Sequence, residues 1–570
     1  MASLLPLHNS SGSFNFSKDL TERGDRLRVA IIAENFLPKV DGSTTTIASL
    51  LQQLKRNHLG VQAMLFGPES GMKTYHDTPL FGTPGLPLHV YPGLKINFIT
   101  PSLIRTLREF DPHVIHLVDP IWLGVQALAA IALLFPTVPV VTSHHTNLPT
   151  YADVFGYPYF KYRTWGIQAY LHSFARCTLV PSASTAGLLA ERRFKNIRVI
   201  SRGVDLTIFD PSLRSESMRQ AWFAAASSFP PSHIPPVSVR SNSSIFSSST
   251  FSSADQVVVL SVGRLSPEKN LTLIINSIAT LPPSIASRVT LVFVGDGPSR
   301  VSLHSQCAAK SIRAVFTGHL SGHALGTAFA SGDIMCAPSI TETFGQTTLQ
   351  GMAAGLPVVG LLAEGTADLV QHGRTGLLLD VLEAAGACAP WSPLMPPKPG
   401  ARVVGWEEAA PLLGDDVSSE RANVIARFAC LLEVLVEDSE RRRQMGREAA
   451  KSARQTWYEW EACAGRVVAA YREAVGVSAS IVSDGKAKAL TPSPDVRNVS
   501  SPAALGSTTL VLRRPATIHW SLPPTIQFLV DGAVVLHALG LALTSHLMYM
   551  VPSRRDLSER IRWRTTTTRH

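Results

Sequence analysis

Residues 338–359 read PSITETFGQTTLQGMAAGLPVV. The order is the end of a strand, a glycine-containing turn, a short helix, a Gly-Leu-Pro break and a new strand, with Gly and Pro as punctuation. A strand–turn–helix unit of this kind aims a helix N-terminus at whatever lies above the sheet, and the backbone N–H groups there favour phosphate or sugar oxygens. Glu342 sits at the mouth of the turn and Gln350 lies eight residues later on the helix. A carboxylate facing helix-end donors points to hydroxyl-rich ligand chemistry rather than to packing.

The same alternation extends outward in both directions. Upstream of this segment stand QVVVLSVGRL (256–265), VTLVFVGDG (289–297), AVFTG (314–318) and DIMCAPS (333–339), with PVVGLL (357–362) at its end. An earlier series starts with LRVAIIAEN (27–35), the loop FLPKVDGS, and the helical TTTIASLLQQLKRN, and continues through VQAMLFG, HVIHLV, VPVVTSHH, CTLVPS and IRVISRGVD. Short apolar strands alternating with amphipathic helices predict an α/β chain with two doubly wound Rossmann-like sheets. The expected domains are residues 27–211 and 256–475. A Ser/Pro-rich insert at 212–255 separates them, because FPPSHIPPVSVRSNSSIFSSSTFSSAD has little to bury. Residues 1–26 and 476–525 read as disordered, residues 382–418 as a Pro-rich excursion, and helices follow to about Val475.

A chain of 570 residues is too long for one core, and 45% apolar content is that of a globular protein. More than half of the net charge of +10 falls in the last hundred residues. A basic tail without a zinc spacing or an RNA-binding aromatic signature suits an anionic membrane surface better than nucleic acid. The six scattered cysteines show no pairing logic, which suggests buried thiols in a reducing compartment. No apolar h-region marks a secretory signal at the N-terminus. Residues 526–551, IQFLVDGAVVLHALGLALTSHLMYMV, are long enough to span a bilayer, but Asp531, His537 and His546 interrupt them. Residues 552–570 carry Arg554, Arg555, Arg560, Arg562 and Arg564. A cytosolic protein held on the membrane through this segment fits better than a single-pass one, which stays as the second reading.

The informative loops all follow strands, so they should converge where ligands of open α/β sheets bind. Gly42, after FLPKVD, allows close backbone approach before a helix. Of the adjacent His144 and His145, one can face the cleft, and His145 is the candidate. Arg264 and Lys269 bracket the loop of GRLSPEK, and two cations at a strand end suit a diphosphate. VGDGP (294–298) lacks the third glycine of a dinucleotide fingerprint, which argues against NAD.

Taken together, SVGRLSPEKN, VFVGDGP, VFTGHL, PSITETFGQTTLQGMAAGLPVV and EGTADLVQHGRTGLL, preceded by AENFLPKVDG, SHHTN, LVPSAS and SRGVDLTIFDP, resemble retaining glycosyltransferases of family 4, with the GT-B fold. Within that family the chain is most similar to sulfoquinovosyldiacylglycerol synthases and GDP-mannose-dependent α-mannosyltransferases. The resemblance covers about residues 27–380 without the insert. It implies that Arg264 and Lys269 hold the donor diphosphate, that Gly42 lets its loop approach the same phosphates, and that His145 contacts the transferred sugar. It implies that Glu342 holds sugar hydroxyls, that backbone amides of Phe344, Gly345 and Gln346 contact sugar and phosphate, and that position 350 accepts from the ribose. That last position is a glutamate in the family's E-x7-E motif and Gln350 here. A glutamine still accepts through its carbonyl oxygen, without charge assistance.

The expected function is transfer of a sugar from a UDP- or GDP-sugar to a lipid or glycolipid acceptor, with retention as the resemblance implies. No acidic pair resembling a metal motif stands in a convincing loop, so neither metal nor cofactor is expected, the nucleotide sugar being substrate. Two alternatives stay open: a nucleotide-sugar epimerase or hydrolase on the same fold, and a catalytically weak nucleotide-sugar-binding scaffold, the latter supported by Gln350.

Overall fold

A computed structural model describes residues 26–38, 41–57, 59–87, 95–150, 161–227, 255–386, 392–395, 403, 405–413 and 418–476. The apolar stretch 526–551, the basic tail and most of the Ser/Pro-rich insert lie outside these residues.

The strands are β1 (Leu27–Ala33), β2 (Val61–Pro68), β3 (Thr74–Tyr75), β4 (Thr78–Thr83), β5 (Gly85–Pro87), β6 (Lys95–Asn97), β7 (Val114–Val118), β8 (Val140–Ser143), β9 (Cys177–Val180) and β10 (Ile197–Val199). Then come β11 (Val257–Val262), β12 (Val289–Val294), β13 (Ala314–Gly318), β14 (Ile334–Ala337), β15 (Val358–Leu361) and β16 (Gly376–Leu379). One sheet has the order β10-β9-β8-β7-β1-β2-β4-β3 and the other β13-β12-β11-β14-β15-β16, while β5 and β6 form a separate antiparallel pair. Within the large sheets the registered pairs are parallel, such as Leu27 with Val61 and Val257 with Val289, except at β3 and β4. Two wound parallel sheets are the predicted architecture.

The six-stranded sheet shows why these residues form strands. Val257 and Val259 of β11, Leu291 and Phe293 of β12, and Ile334 and Cys336 of β14 pack into one apolar cluster. The intervening Val258, Leu260, Val292, Val294 and Met335 pack into a second. Alternation at period two with both faces apolar is the signature of a sheet covered by helices on both sides. Leu271–Thr280 and Ser419–Glu437 supply the first cluster, Gln346–Ala353 and Ser439–Ala453 the second.

By its contacts the chain divides into two units, one from the described residues of 1–40, 51–141 and 468–544, the other from those of 41–50, 142–467 and 545–570. In the first, Glu34 follows β1, and its carboxylate accepts the N–H groups of Ile121, Trp122, Leu123 and Gly124 at 2.8–3.0 Å. It thereby fills the donor-rich start of helix Leu123–Leu134. Burial pushes its pKa up against those four donors. In the same unit, His116 Nδ1 and the Tyr471 hydroxyl are 2.7 Å apart in the core.

Helix Glu216–Ser227, with Arg219 and Trp222 buried, lies where the insert was expected to have begun. Its short amphipathic pattern is diluted by the Ser/Pro tract that follows. Arg219 there meets the carboxylate of Asp333 at 2.8 Å, which also accepts the N–H of Val258. The Pro-rich excursion likewise contains helices Val381–Ala385 and Trp406–Leu413. Among the described residues five cysteines are free thiols, with Cys177, Cys307, Cys336 and Cys463 buried. Among the described residues no helix is long and apolar enough to cross a membrane.

Candidate active site

Every site residue described below belongs to the second unit. In its six-stranded sheet the chain moves outward from β11 through β12 to β13, then returns to β14 beside β11 and moves outward the other way. The switch point therefore lies between β11 and β14, and the crevice at their C-terminal ends is where such sheets take ligands. A pocket is found there, lined by Gly263, Arg264, Lys269, Pro338, Glu342 and Thr348 among others.

The loop that carries Arg264 is shaped by VGDGP. Leu265 donates its N–H to the carbonyl of Asp296 at 3.0 Å, and Ser299 donates to the carbonyl of Leu265 at 2.9 Å. A Cβ on Gly295 would fall 1.9 Å from the carbonyl oxygen of Gly263, and one on Gly297 would fall 2.3 Å from that of Leu265. These glycines let one main chain lie directly against another. They buttress the Arg264 loop, and Arg264 is an exposed residue within it.

Lys269 ends the 3-10 helix Pro267–Lys269 and forms an ion pair with Glu342, rather than with neighbouring Glu268, which is buried and accepts from Ser266. The Glu342 side chain is 19% exposed. Burial works against its ionisation, but the charge and hydrogen bond of Lys269, with the charge of Arg202, outweigh that and hold its pKa below the usual carboxylate value. Gly345, at φ 84°, turns the chain into helix Gln346–Ala353. Among the described residues no side chain caps that N-terminus, which leaves its first N–H groups as donors for a ligand.

His145 is buried, and its Nδ1 lies 3.3 Å from Nη2 of Arg202. Arginine only donates, so Nδ1 accepts and the ring proton is assigned to Nε2. Thr343, beside Glu342, donates its hydroxyl to the carbonyl of His145 at 2.9 Å, and Thr185 donates to the carbonyl of Thr343 at 2.9 Å. The Arg202 guanidinium lies 5.8 Å from the Phe344 ring centre. Gly42 opens helix Gly42–Arg56, and a Cβ there would lie 2.8 Å from Nη1 of Arg202. Gln346 uses its side-chain amide on the carbonyl of Gly203 at 2.9 Å. Gln350 is half-buried, and its side chain makes no hydrogen bond among the described residues.

Arg264, Lys269 and Glu342 thus share one pocket. His145, Gly42 and Phe344 join them through Arg202, which stands in the quoted SRGVD but was given no role from sequence. Two further residues were missed. Glu364, 6% exposed, begins helix Glu364–Leu369, and Asn147 Nδ2 reaches both of its carboxylate oxygens at 3.4 Å. Burial, then the charge of Glu342, pushes the Glu364 pKa up to about 8. Nothing in AEGTADL marks that glutamate as buried. Among the described residues, no group of three His, Cys, Asp or Glu is placed to hold a metal ion.

Comparison with known proteins identifies the family. Residues 244–387 match the family model for glycosyl transferases group 1, and residues 40–208 match that for glycosyltransferase family 4. A GDP-mannose-dependent alpha-mannosyltransferase of Mycolicibacterium smegmatis is 35% identical over 369 residues, covering 62% of this chain and 85% of the relative. A sulfoquinovosyl transferase of Arabidopsis thaliana is 28% identical over 366 residues, 62% of this chain and 64% of that one. Among solved structures, a sucrose-phosphate synthase of Thermosynechococcus elongatus superposes at TM-score 0.55 with 17% identity, over 80% of this chain and all of that one. The Anabaena HepE protein in complex with UDP and glucose superposes at 0.52 with 17% identity, over 78% and 99%. The chain belongs to the group 1, family 4 glycosyltransferases, a family of retaining hexosyltransferases with the GT-B fold.

Proposed function

We propose that this enzyme transfers mannose from GDP-mannose to a lipid or glycolipid acceptor, with retention at the anomeric carbon. The observation that carries the reading is the Lys269–Glu342 ion pair at the switch-point pocket, beside an uncapped helix N-terminus. It offers a cation and N–H donors for a diphosphate and a carboxylate for sugar hydroxyls. The donor assignment leans on the mannosyltransferase relatives, three of which are 30–35% identical and named GDP-mannose-dependent. A lipid acceptor is favoured by an alpha-monoglucosyldiacylglycerol synthase of Streptococcus pneumoniae that is 22% identical over 378 residues.

In this reading Arg264 and Lys269 hold the β-phosphate, with amides of Phe344, Gly345 and Gln346 and the backbone at Gly42 close to donor oxygens. Glu342 accepts from hydroxyls of the transferred sugar, His145 donates to it through Nε2–H, and Gln350 accepts from the ribose. The bond between C1 and the β-phosphate oxygen breaks, and the acceptor oxygen bonds to C1 on the same face. The acceptor proton passes to the departing phosphate oxygen. Negative charge grows on that phosphate, so cations and helix-end donors already aimed at it lower the barrier. No protein nucleophile and no metal enter this scheme.

The enzyme would work at the cytosolic face of a membrane. Tyr170 and Phe174, 63% and 54% exposed with ring centres 5.0 Å apart, stand near exposed Arg176 in sequence, an aromatic and basic pairing suited to anionic headgroups. The test is transfer of radiolabelled mannose into membrane lipid extract, run beside UDP-glucose and UDP-sulfoquinovose. Labelled glycolipid from GDP-mannose alone supports the reading; binding of GDP-mannose with neither transfer nor hydrolysis would favour the scaffold role suggested by Gln350.

A further inference from the structure

We propose that Glu364 is a specificity-determining carboxyl of the donor site, held by His144 and Asn147 so that it meets one hydroxyl of the transferred hexose. The proposal rests on the reading of Glu342 as the sugar-facing carboxylate, because the two glutamates are fixed to each other. Gly365 donates its N–H to the carbonyl of Glu342 at 2.7 Å, so the residue after Glu364 is tied to Glu342 itself.

Three observations set Glu364 apart from a structural carboxylate. The first is its poor supply of partners. A carboxyl has room for about four hydrogen bonds. This one is 6% exposed, and among the described residues its side chain has only the Asn147 amide, at 3.4 Å from each oxygen. A buried carboxyl left that short is costly unless a further donor or acceptor arrives. The second is its backbone, at φ 33°, a region a non-glycine residue adopts at a cost. A glycine there would relieve the strain.

The third is a support chain that reaches into the core. Nε2 of His144 lies 2.9 Å from Oδ1 of Asn147. With its proton assigned to Nε2, His144 donates to the amide oxygen and leaves Asn147 only its NH2 to offer Glu364. Nδ1 is then an acceptor, and it is the atom of His144 that is buried without a partner among the described residues. The imidazole is walled by Trp165, His172 and Phe194, with ring centres 5.9–6.3 Å away. His144 and Asn147 are therefore positioning residues. The neighbour of His145, set aside in the sequence as facing the other way, holds the site from behind.

Protonation gives the carboxyl its chemistry. The charged groups around it are Glu342 and Asp368, both raising its pKa, while Lys269 and Arg202 act on Glu342. Asp368 is held by Ser184, whose N–H and hydroxyl donate at 2.9 and 2.6 Å. His144 and His172 are kept neutral by burial. With a pKa near 8, Glu364 is a neutral acid at pH 7 and can both donate to and accept from a sugar hydroxyl.

The experiment measures kcat and KM of the full-length enzyme with GDP-mannose and its 2-, 3-, 4- and 6-deoxy analogues, for wild type, Glu364→Gly, Glu364→Gln, Asn147→Ala and Glu342→Ala. Glu364→Gly is expected to raise KM for GDP-mannose about tenfold and to abolish the penalty for one deoxy analogue alone. Asn147→Ala should move the same parameters in the same direction by less. Wild-type kcat/KM should fall as pH rises through about 8, and Glu364→Gln should flatten that limb. Unchanged KM, deoxy profile and pH profile in both Glu364 variants would overturn the proposal while leaving the donor site standing. An active Glu342→Ala enzyme, or a wild type that does not use GDP-mannose, would overturn the reading beneath it as well.

Discussion

Gly365 donates its backbone N–H to the carbonyl of Glu342 at 2.7 Å, and a Cβ on Gly365 would fall 2.4 Å from the carbonyl carbon of Phe344. The loop after β15 therefore lies main chain to main chain on the loop after β14. This contact cannot yield by a side-chain rotation, so Gly365→Ala should cost about 1–3 kcal/mol through forced backbone displacement. Thermal unfolding should show a drop of roughly 2–4 °C per kcal/mol. Activity should fall further than stability, because Glu342 moves with the loop. A variant with wild-type Tm and wild-type turnover would contradict the contact.

The Lys269–Glu342 pair makes a prediction with a definite sign. The pKa of Glu342 is held below the usual carboxylate range, so its ionised form stabilises the native state above that range, and the contribution is lost as pH falls through the native pKa. Lys269→Met leaves the carboxylate half-buried with less compensation. Its pKa then rises, the acid limb of kcat/KM moves toward neutral pH, and acid unfolding begins at a higher pH than in wild type. Glu342→Ala should lower turnover by about 10²–10³-fold or more, with unfolding near that of wild type. An acid limb that does not move in Lys269→Met would show that the pair does not set the ionisation.

Gly42 and Arg202 form a softer contact. A Cβ at position 42 would lie 2.8 Å from Nη1, the far end of a side chain that can swing. Gly42→Ala should leave unfolding within about 1 kcal/mol of wild type, while displacing the guanidinium from His145 and from the field around Glu342. A fall of about tenfold in kcat/KM is the expected result. Loss of folded protein would mean that Arg202 cannot yield.

The sequence was most legible where periodicity and punctuation agreed. The strands of the six-stranded sheet announce themselves as Val-rich runs, and the switch point then locates Arg264, Lys269 and Glu342 in one pocket. The pairing of Lys269 with Glu342 could not be read, because they are 73 positions apart and Glu268 offers a nearer carboxylate. Strands β4 and β5 are hard to read because TPLFGTPGLP is dense in Gly and Pro, which argues for turns. VGDGP was weighed only as a nucleotide motif; its glycines show their use when Gly263 and Leu265 are seen against them. Glu364 carries no local signal at all, since its hydrogen-bond partner Asn147 stands 217 positions earlier.

Gln350 invites a gain-of-function test. It is half-buried on helix Gln346–Ala353, and its amide has no hydrogen bond among the described residues, so a carboxylate of the same length displaces nothing. If the position accepts from the ribose, Gln350→Glu restores a charge-assisted bond, and KM for the donor should fall about three- to tenfold with kcat nearly unchanged. GDP affinity by calorimetry should improve in parallel. A KM that does not change, with GDP affinity equally unmoved, would place the ribose elsewhere.

The raised pKa of Glu364 bears on stability as well as on binding, and here the sign is opposite to that of Glu342. The unfolded carboxyl ionises near its ordinary value of 4.5, whereas the folded one holds its proton up to about 8. Below 4.5 both states are protonated and the group costs nothing extra. As pH rises from there to about 8 the unfolded state is favoured progressively, and above 8 the penalty is constant. Glu364→Gln removes the titration while keeping the shape. Its Tm relative to wild type should therefore be near zero difference at pH 4.5, climb by several degrees toward pH 8, and level off beyond it. Asp368, also raised by burial, titrates in both proteins and cancels in the difference. Glu342 acts below the ordinary carboxylate range and leaves this window clear. A difference in Tm that stays constant from pH 5 to pH 9 would mean that Glu364 is ionised in the folded enzyme, and the acid assigned to the donor site would have to be a carboxylate instead.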